Sequence, residues 1–454
     1  MNTIRIFLAL LLALTILQGC SKSSSSSSSS GPANGAVRLV NATNVNAIPA
    51  YPSLDMTTSG TTLATAIPIG GASTYYGLAP GAYTFALDVS GTGIASAQQA
   101  LLISSGVDYA LVAHTGGGQL QLTSLTEIEP APAAGDGKIR VSNLAMQDAG
   151  SVDVYMAGPG GTLAGASALA TNVSGTSPYF EIPVGTGTYQ IWVTGAGNRT
   201  DVRLTLPSVA VSNQQIQTLV LTAAAPTVTA GGVTGTAGGV LVDGWLVTQQ
   251  AAVVPQTNTY ARVRVTADIT GGGPITVTAN GTGLDAATLV SPAVDSYVSV
   301  LLNPAGTPLS GTAVVNGAPF PLPVQPTAPG ADWTLLAVGT IAAPQFYWLR
   351  DDNRLPLNGL AKLRLVSGVN GLAGNLSLTA DANLMASNVA FGTASTPSTF
   401  TTTGNISQLQ VNRAGNVLVG GPYPITLQSQ GVYSVFMLGD NTALPLVGIV
   451  RADR

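Results

Sequence analysis

The residue types that carry most enzyme chemistry are scarce in this chain. It has one histidine, His114, and one cysteine, Cys20. His114 lies beside Gly116-Gly117-Gly118 and reads as an exposed turn residue rather than a general base or metal ligand. With no second histidine or free cysteine to join it, a transition-metal site has no ligand set. No Gly-x-Ser-x-Gly, Gly-x-Gly-x-x-Gly or lysine-bearing phosphate loop occurs, so a serine would lack its base and a nucleotide its cradle. Asp351-Asp352-Asn353 offers oxygens of the kind calcium takes, but without alternating acidic spacing it reads as a solvated turn between two domains. The 20 acidic residues form no recurrent cluster. A glycosidase pair could still be assembled from distant positions. The sequence implies no cofactor and no metal, and a protein that is not an enzyme.

One cationic pattern does recur. An apolar–Arg–apolar strand is written four times: Val37-Arg38-Leu39, Ile139-Arg140-Val141, Val263-Arg264-Val265 and Leu363-Arg364-Leu365. A second strand follows three of the arginines at 71, 69 and 69 residues, headed by Tyr109, Trp333 and Tyr433; in the second copy Gln217 stands at 77. Two landmarks in register across four copies indicate internal repeats, each about the size of a β-sandwich domain. Side chains alternate along a strand, so Val37 and Leu39 point to a core and Arg38 points out. There it reads as a solvent-face charge that discourages edge pairing, or as one of a row of cationic sites for acidic glycans. Tyr109, Trp333 and Tyr433 read as core aromatics.

Composition supports strands throughout. Charged residues make up 8% of the chain and glycine contributes 54 positions, with β-branched residues separated by Gly, Pro and Asn turns. Apolar residues at 45% are too many for a disordered chain. A net charge of −4 gives no footprint for nucleic acid. The expected fold is all-β: four tandem antiparallel β-sandwich domains, immunoglobulin-like or transthyretin-like, over residues 36–130, 137–254, 260–355 and 359–454. Few contacts are expected across the linkers at 130–137, 255–259 and 351–359. Residues 223–239, rich in Ala, Gly and Thr, read as a long loop in the second domain.

Residues 1–19 read as a signal peptide: Arg5, then an apolar run from Ile6 to Leu17 too short to span a bilayer. Leu17-Gln18-Gly19-Cys20 resembles the bacterial lipobox. That resemblance implies cleavage before Cys20 and lipid, diacylglycerol plus an acyl chain such as palmitate, on that residue. More than one chain suffices for stable anchoring. Ser21 after the cysteine implies outer-membrane delivery, facing the periplasm or the cell surface. Residues 20–35, with serine from Ser23 to Ser30, read as a flexible tether able to reach roughly 50 Å when extended.

The second repeat carries a further resemblance. Lys138-Ile139-Arg140-Val141-Ser142-Asn143 leads to Val152-Asp153-Val154-Tyr155, and Pro183-Val184-Gly185-Thr186-Gly187-Thr188-Tyr189 opens a later strand. This resembles domain-of-unknown-function family 4397. The resemblance implies a secreted β-sandwich, often in tandem and often anchored, with no established catalytic residues. In the first repeat the Val-Asp-Val-Tyr strand has no counterpart in sequence.

These readings converge on a lipid-anchored envelope or cell-surface protein, a non-enzymatic scaffold or a binding and adhesion module. Its partners would be the membrane, through Cys20, and an envelope polysaccharide or surface protein. The alternative is an extracytoplasmic carbohydrate-active enzyme or polysaccharide-binding accessory protein. Tyr75-Tyr76 and Tyr347-Trp348 are the candidate ligand contacts, because adjacent strand residues point to opposite faces and one of each pair must leave its own core.

Overall fold

The computed structural model describes residues 33–454 apart from 45–50, 93–94, 117–118, 186, 225–228, 231–232, 235–237, 286–287, 304–305, 414–416 and 442–445. The expected signal peptide, Cys20 and the serine run lie outside the described residues.

The two landmarks of each repeat are partners. The arginine strand Gly35–Asn41 pairs with the strand Asp108–Gly116, and Asp136–Asn143 pairs with Ile216–Ala223. Tyr260–Thr270 pairs with Asp332–Thr340 and Leu360–Ser367 with Val432–Leu438. All four pairings are parallel. Their register places Arg38 opposite Ala110, Arg140 opposite Thr218, Arg264 opposite Thr334 and Arg364 opposite Ser434. The nearly constant sequence spacing is therefore a ladder register. The sheets are otherwise antiparallel, so the expectation of antiparallel sandwiches needs this one amendment per repeat. Parallel neighbours require a long crossover, and the residues between the landmarks supply it as the second sheet.

In the first repeat that second sheet contains Ser53–Thr58, Thr61–Pro68, Gly81–Val89 and Ala95–Ile103. Val37, Leu39, Tyr109 and Leu111 from one sheet meet Leu54, Met56, Phe85 and Leu87 from the other in a single buried cluster. The second, third and fourth repeats each enclose a cluster of the same kind. Tyr109, Trp333 and Tyr433 are core residues, as expected. Each also uses its polar tip at the loop before its strand. The Tyr433 hydroxyl accepts from the Gln428 amide at 2.9 Å, the Tyr109 hydroxyl accepts from the Ser104 amide at 3.3 Å, and Trp333 Nε1 donates to Thr327 Oγ1 at 2.8 Å.

The first repeat does contain the strand it seemed to lack. Leu54-Asp55-Met56 occupies the position of Val152-Asp153-Val154. Both strands bulge against the next one, at Leu54/Met56 and Val152/Val154. Asp55 Oδ1 accepts from the amide of Ala66 and Asp153 Oδ1 from that of Asn172, each at 2.7 Å. Ala66 and Asn172 both sit at positive φ, 51° and 49°. The shared element is an aspartate holding a bulge, which identity at the flanking positions does not reveal. Within 223–239, read as a loop, Thr229–Ala230 pairs with Val233–Thr234 as a two-stranded ribbon.

Arg38 and its counterparts do not face solvent, contrary to expectation. They are buried, at 2%, 8%, 2% and 3% exposure for Arg38, Arg140, Arg264 and Arg364. The outer face of each arginine-bearing sheet packs on another repeat. Val40, Ala110 and Val112 of the first repeat cluster with Val220, Trp245 and Val247 of the second. Leu336 and Val338 of the third cluster with Val366, Phe436 and Leu438 of the fourth. These parallel strands are thus covered on both faces, as parallel strands generally are. Each large side chain so buried contributes about 1.5–3 kcal/mol.

Candidate functional site

At the junction of the third and fourth repeats the buried arginines form a crossed clamp. Arg264 Nε donates to Thr334 Oγ1, opposite it in the ladder, at 2.8 Å; Arg364 Nε donates to Ser434 Oγ at 2.7 Å. Each guanidinium then reaches the other repeat's carboxylate, Arg264 pairing with Asp453 and Arg364 with Asp351. The same hydroxyls hold the carboxylates: Thr334 Oγ1 donates to Asp351 at 2.7 Å and Ser434 Oγ to Asp453 at 2.5 Å. Burial opposes charge on Asp351, but Arg364 and Arg264 outweigh it and hold the carboxyl below its usual range. Asp351 and Asn353 are buried and Asp352 pairs with Arg354 and Lys362. The expected solvated turn is an interdomain ion-pair network.

The first junction is a variant of this clamp. Arg140 Nε donates to Thr218 Oγ1 at 2.9 Å and its Nη2 to the Thr126 carbonyl of the first repeat at 2.8 Å. Arg38 faces Ala110, which has no hydroxyl, and Glu127 takes its Nε at 2.9 Å instead. Arg38 also donates to the Thr248 carbonyl of the second repeat at 2.8 Å. A tyrosine lies under three of the four arginines: Tyr75 by Arg38, Tyr179 by Arg140 and Tyr297 by Arg264, with ring centres 4.5–5.1 Å from the guanidinium carbon.

The candidate contact residues fall as follows. Tyr76 packs against its own core, while Tyr75 turns outward, stacks on Arg38 and donates its hydroxyl to Glu127. Trp348 packs on its own core edge-on to Trp333, and Tyr347 joins the cluster between the third and fourth repeats, edge-on to Phe391. The outward member of each pair lies at a junction rather than on an open face. His114 is also not an exposed turn residue. It is buried in the strand Asp108–Gly116 and its Nε2 is 3.0 Å from Thr123 Oγ1. Burial lowers its pKa to about 4, so it is neutral at pH 7.

Contacts also bridge the repeats around the linkers, where few were expected. Asn258 is buried, and its Nδ2 donates to the Arg203 carbonyl at 2.7 Å and the Val242 carbonyl at 3.1 Å. Arg262 of the third repeat pairs with Asp201 of the second at 3.0 Å. Arg454 Nη1 donates to the Asp148 carbonyl of the second repeat at 3.0 Å.

Where the second, third and fourth repeats meet, these contacts surround a cleft of about 550 Å³. Five arginines line it: Arg203, Arg262, Arg264, Arg451 and Arg454. Three aspartates face them, Asp201, Asp295 and Asp453. Asp201 is shared between Arg203 at 2.7 Å and Arg262 at 3.0 Å, and these two outweigh its burial and hold its pKa down. The pKa of Arg454 is lowered as well, to about 9, first by burial and next by its neighbour Arg203, which here disfavours the charged form. No single-sequence signal marks this cleft, because its walls come from three repeats. Among the described residues no group of three or more His, Cys, Asp or Glu is placed to hold a metal ion.

Residues 35–155 match the model of a domain of unknown function, DUF4397. The matched stretch covers less than half of the chain. It begins a full repeat earlier than the motifs of the second repeat suggested and ends at Tyr155. It therefore includes both bulged strands, Leu54-Asp55-Met56 and Val152-Asp153-Val154. No curated protein matches the chain. Among solved structures it is similar to the Bacillus anthracis TIE protein, at 10% identity and a TM-score of 0.15, over 67% of this chain and 50% of that one. It is also similar to family 41 carbohydrate-binding modules from streptococcal virulence factors, at 10% identity and 0.16, over 41% and 92%. A leucine-rich repeat protein from Bacteroides thetaiotaomicron matches at 15% identity and 0.12, over 40% and 25%. The chain thus spans half the length of the first and a quarter of the third. At these TM-scores nothing further is transferred from any of them.

Proposed function

We propose that the protein is a lipid-anchored extracytoplasmic scaffold that binds without chemistry: an outer-membrane lipoprotein attached through Cys20, presenting four β-sandwich repeats as one preassembled body to an envelope polysaccharide or surface partner. The observation that carries this reading is the crossed clamp of Arg264, Asp453, Arg364 and Asp351. A buried ion pair loses much of its attraction to desolvation, so it adds little stability over an apolar contact, yet breaking it is costly. Such a pair fixes a geometry, and a fixed geometry serves binding because the partner then orders fewer groups. The outward candidate aromatics are engaged at the junctions, Tyr75 against Arg38 and Glu127 and Tyr347 in the cluster between the third and fourth repeats.

The test compares glycan-array and whole-cell binding by the full chain with binding after Asp351→Ala, and assays any bound glycan for cleavage. Binding that weakens when the clamp is broken, with the glycan recovered intact, is the expected result. Turnover of the glycan would overturn the non-enzymatic reading, and absence of binding to any glycan or cell would overturn the binding one.

A further inference from the structure

The chain holds only 16 Lys and Arg residues, and five arginines converge on the cleft between the second, third and fourth repeats. Three of these are neutralised. Arg203 and Arg262 engage Asp201, Arg262 also engages Asp332 at 2.6 Å, and Arg264 engages Asp453. Arg451 and Arg454 differ: their hydrogen bonds go to backbone carbonyls, those of Val294 for Arg451 and of Asp148 and Ala149 for Arg454. A guanidinium has five N–H donors, so both retain donors after these bonds. Neither makes a close ion pair, Asp201 and Asp332 acting on Arg454 only at longer range, and two such cations next to an open cleft form a receptor for an oxyanion in bidentate geometry.

The rest of the wall indicates what carries the oxyanion. Asn198, Thr200, Ser296 and Ser299 line the same cleft and offer donors and acceptors to hydroxyl groups. The one aromatic there, Tyr297, has Arg262 and Arg264 each 4.7 Å from its ring centre, so its ring is engaged by cations and recognition must come from charge and hydrogen bonds. The volume falls in the range of small-ligand sites.

We propose that this cleft binds an acidic saccharide, with its carboxylate, sulfate or phosphate group held by Arg451 and Arg454 and its hydroxyls met by Thr200, Ser296 and Ser299. The proposal rests on the binding reading above and names the ligand class. Burial and Arg203 lower the pKa of Arg454 to about 9, which still leaves it a cation at pH 7.

Calorimetric titration of the full chain with trigalacturonate, with the neutral trigalactose and with inorganic sulfate tests it. Trigalacturonate should bind, more weakly as salt rises, while the neutral trimer and sulfate alone should bind at least tenfold more weakly. Arg451→Gln should weaken trigalacturonate binding by about tenfold, the value of one charged hydrogen bond. Asp295→Asn, which keeps the Oδ1 that accepts from the Ser296 amide but removes a negative charge from the wall, should tighten it by about threefold. The opposite signs separate a binding effect from lost folding, and matched melting curves verify it. Equal affinity for the neutral trimer, equal affinity for sulfate, or no change in either variant would overturn the assignment. Undiminished glycan-array binding by Arg451→Gln would remove the cleft while leaving the scaffold reading intact; cleavage of the trimer would remove the scaffold reading itself.

Discussion

The guanidinium of Arg364 lies 2.6 Å from the carboxylate of Asp351, which belongs to the preceding repeat. Arg264 and Asp453 make the reciprocal contact, so the two repeats are joined by an approximately two-fold exchange of charges. Both partners of the Arg364–Asp351 pair are almost wholly buried, and removing one leaves the other without compensation. Asp351→Ala should therefore cost about 3–5 kcal/mol by denaturant unfolding. Arg364→Met in the same background should recover part of that loss, since an uncharged junction has no orphaned cation. A single-variant cost under about 1 kcal/mol would show that the clamp is not the joint it is taken for.

The apolar part of the same junction makes a separate prediction. Phe436 is fully buried between the third and fourth repeats with Leu336, Val338 and Leu438. Phe436→Ala should cost about 3–5 kcal/mol while leaving the fourth repeat's own core, around Leu365, Val435 and Met437, unchanged in composition. Limited proteolysis should then open the chain between residues 351 and 359 first. In the wild type that segment should resist cleavage, because Asp351 and Asn353 are buried.

Asp243 gives a pH dependence of definite sign. Burial raises its pKa to about 7, partly offset by hydrogen bonds from the Asn258 amide and the Asn44 side chain. The folded state therefore holds a proton that the unfolded state has released, and stability falls as pH rises from about 4 to about 7. Asp243→Asn mimics the protonated form. It should raise the melting temperature at pH 8 and make no difference at pH 4. A gain of the same size at both pH values would mean that the carboxyl does not titrate in the fold. Asp351 acts in the opposite sense: its pKa is held low, so its contribution is lost only as pH falls below the ordinary carboxylate range.

Anchoring is tested at Cys20, the chain's one cysteine and the residue the lipobox resemblance marks for the lipid. Cys20→Ala should release the protein from the membrane fraction into the soluble extract. Unchanged sedimentation with membranes would sink the lipid attachment, and recovery of the wild type with the inner membrane would sink only the sorting inferred from Ser21.

Much of each repeat was legible in the sequence because it depends on local period. Alternation along Val37-Arg38-Leu39 assigned Val37 and Leu39 to a core, and both lie there. Tyr109, Trp333 and Tyr433 were placed as core aromatics by the same rule, and their spacing from the arginines recorded a ladder register before any pairing was visible. What period cannot carry is the identity of the surface that meets the outward face. Alternation points Arg264 away from its own core, but whether water or Asp453 waits there is settled 189 residues along the chain. The solvent reading of the arginines and of Asp351-Asp352-Asn353 failed for that reason. The bulge that makes Leu54-Asp55-Met56 equivalent to Val152-Asp153-Val154 is local, joining Asp55 to Ala66, and is hidden because the flanking residues differ. The parallel sense of the landmark strands and the five-arginine cleft share the origin of the buried arginines. Each is a relation between segments distant in sequence, fixed only when sheets with two apolar faces bury both of them.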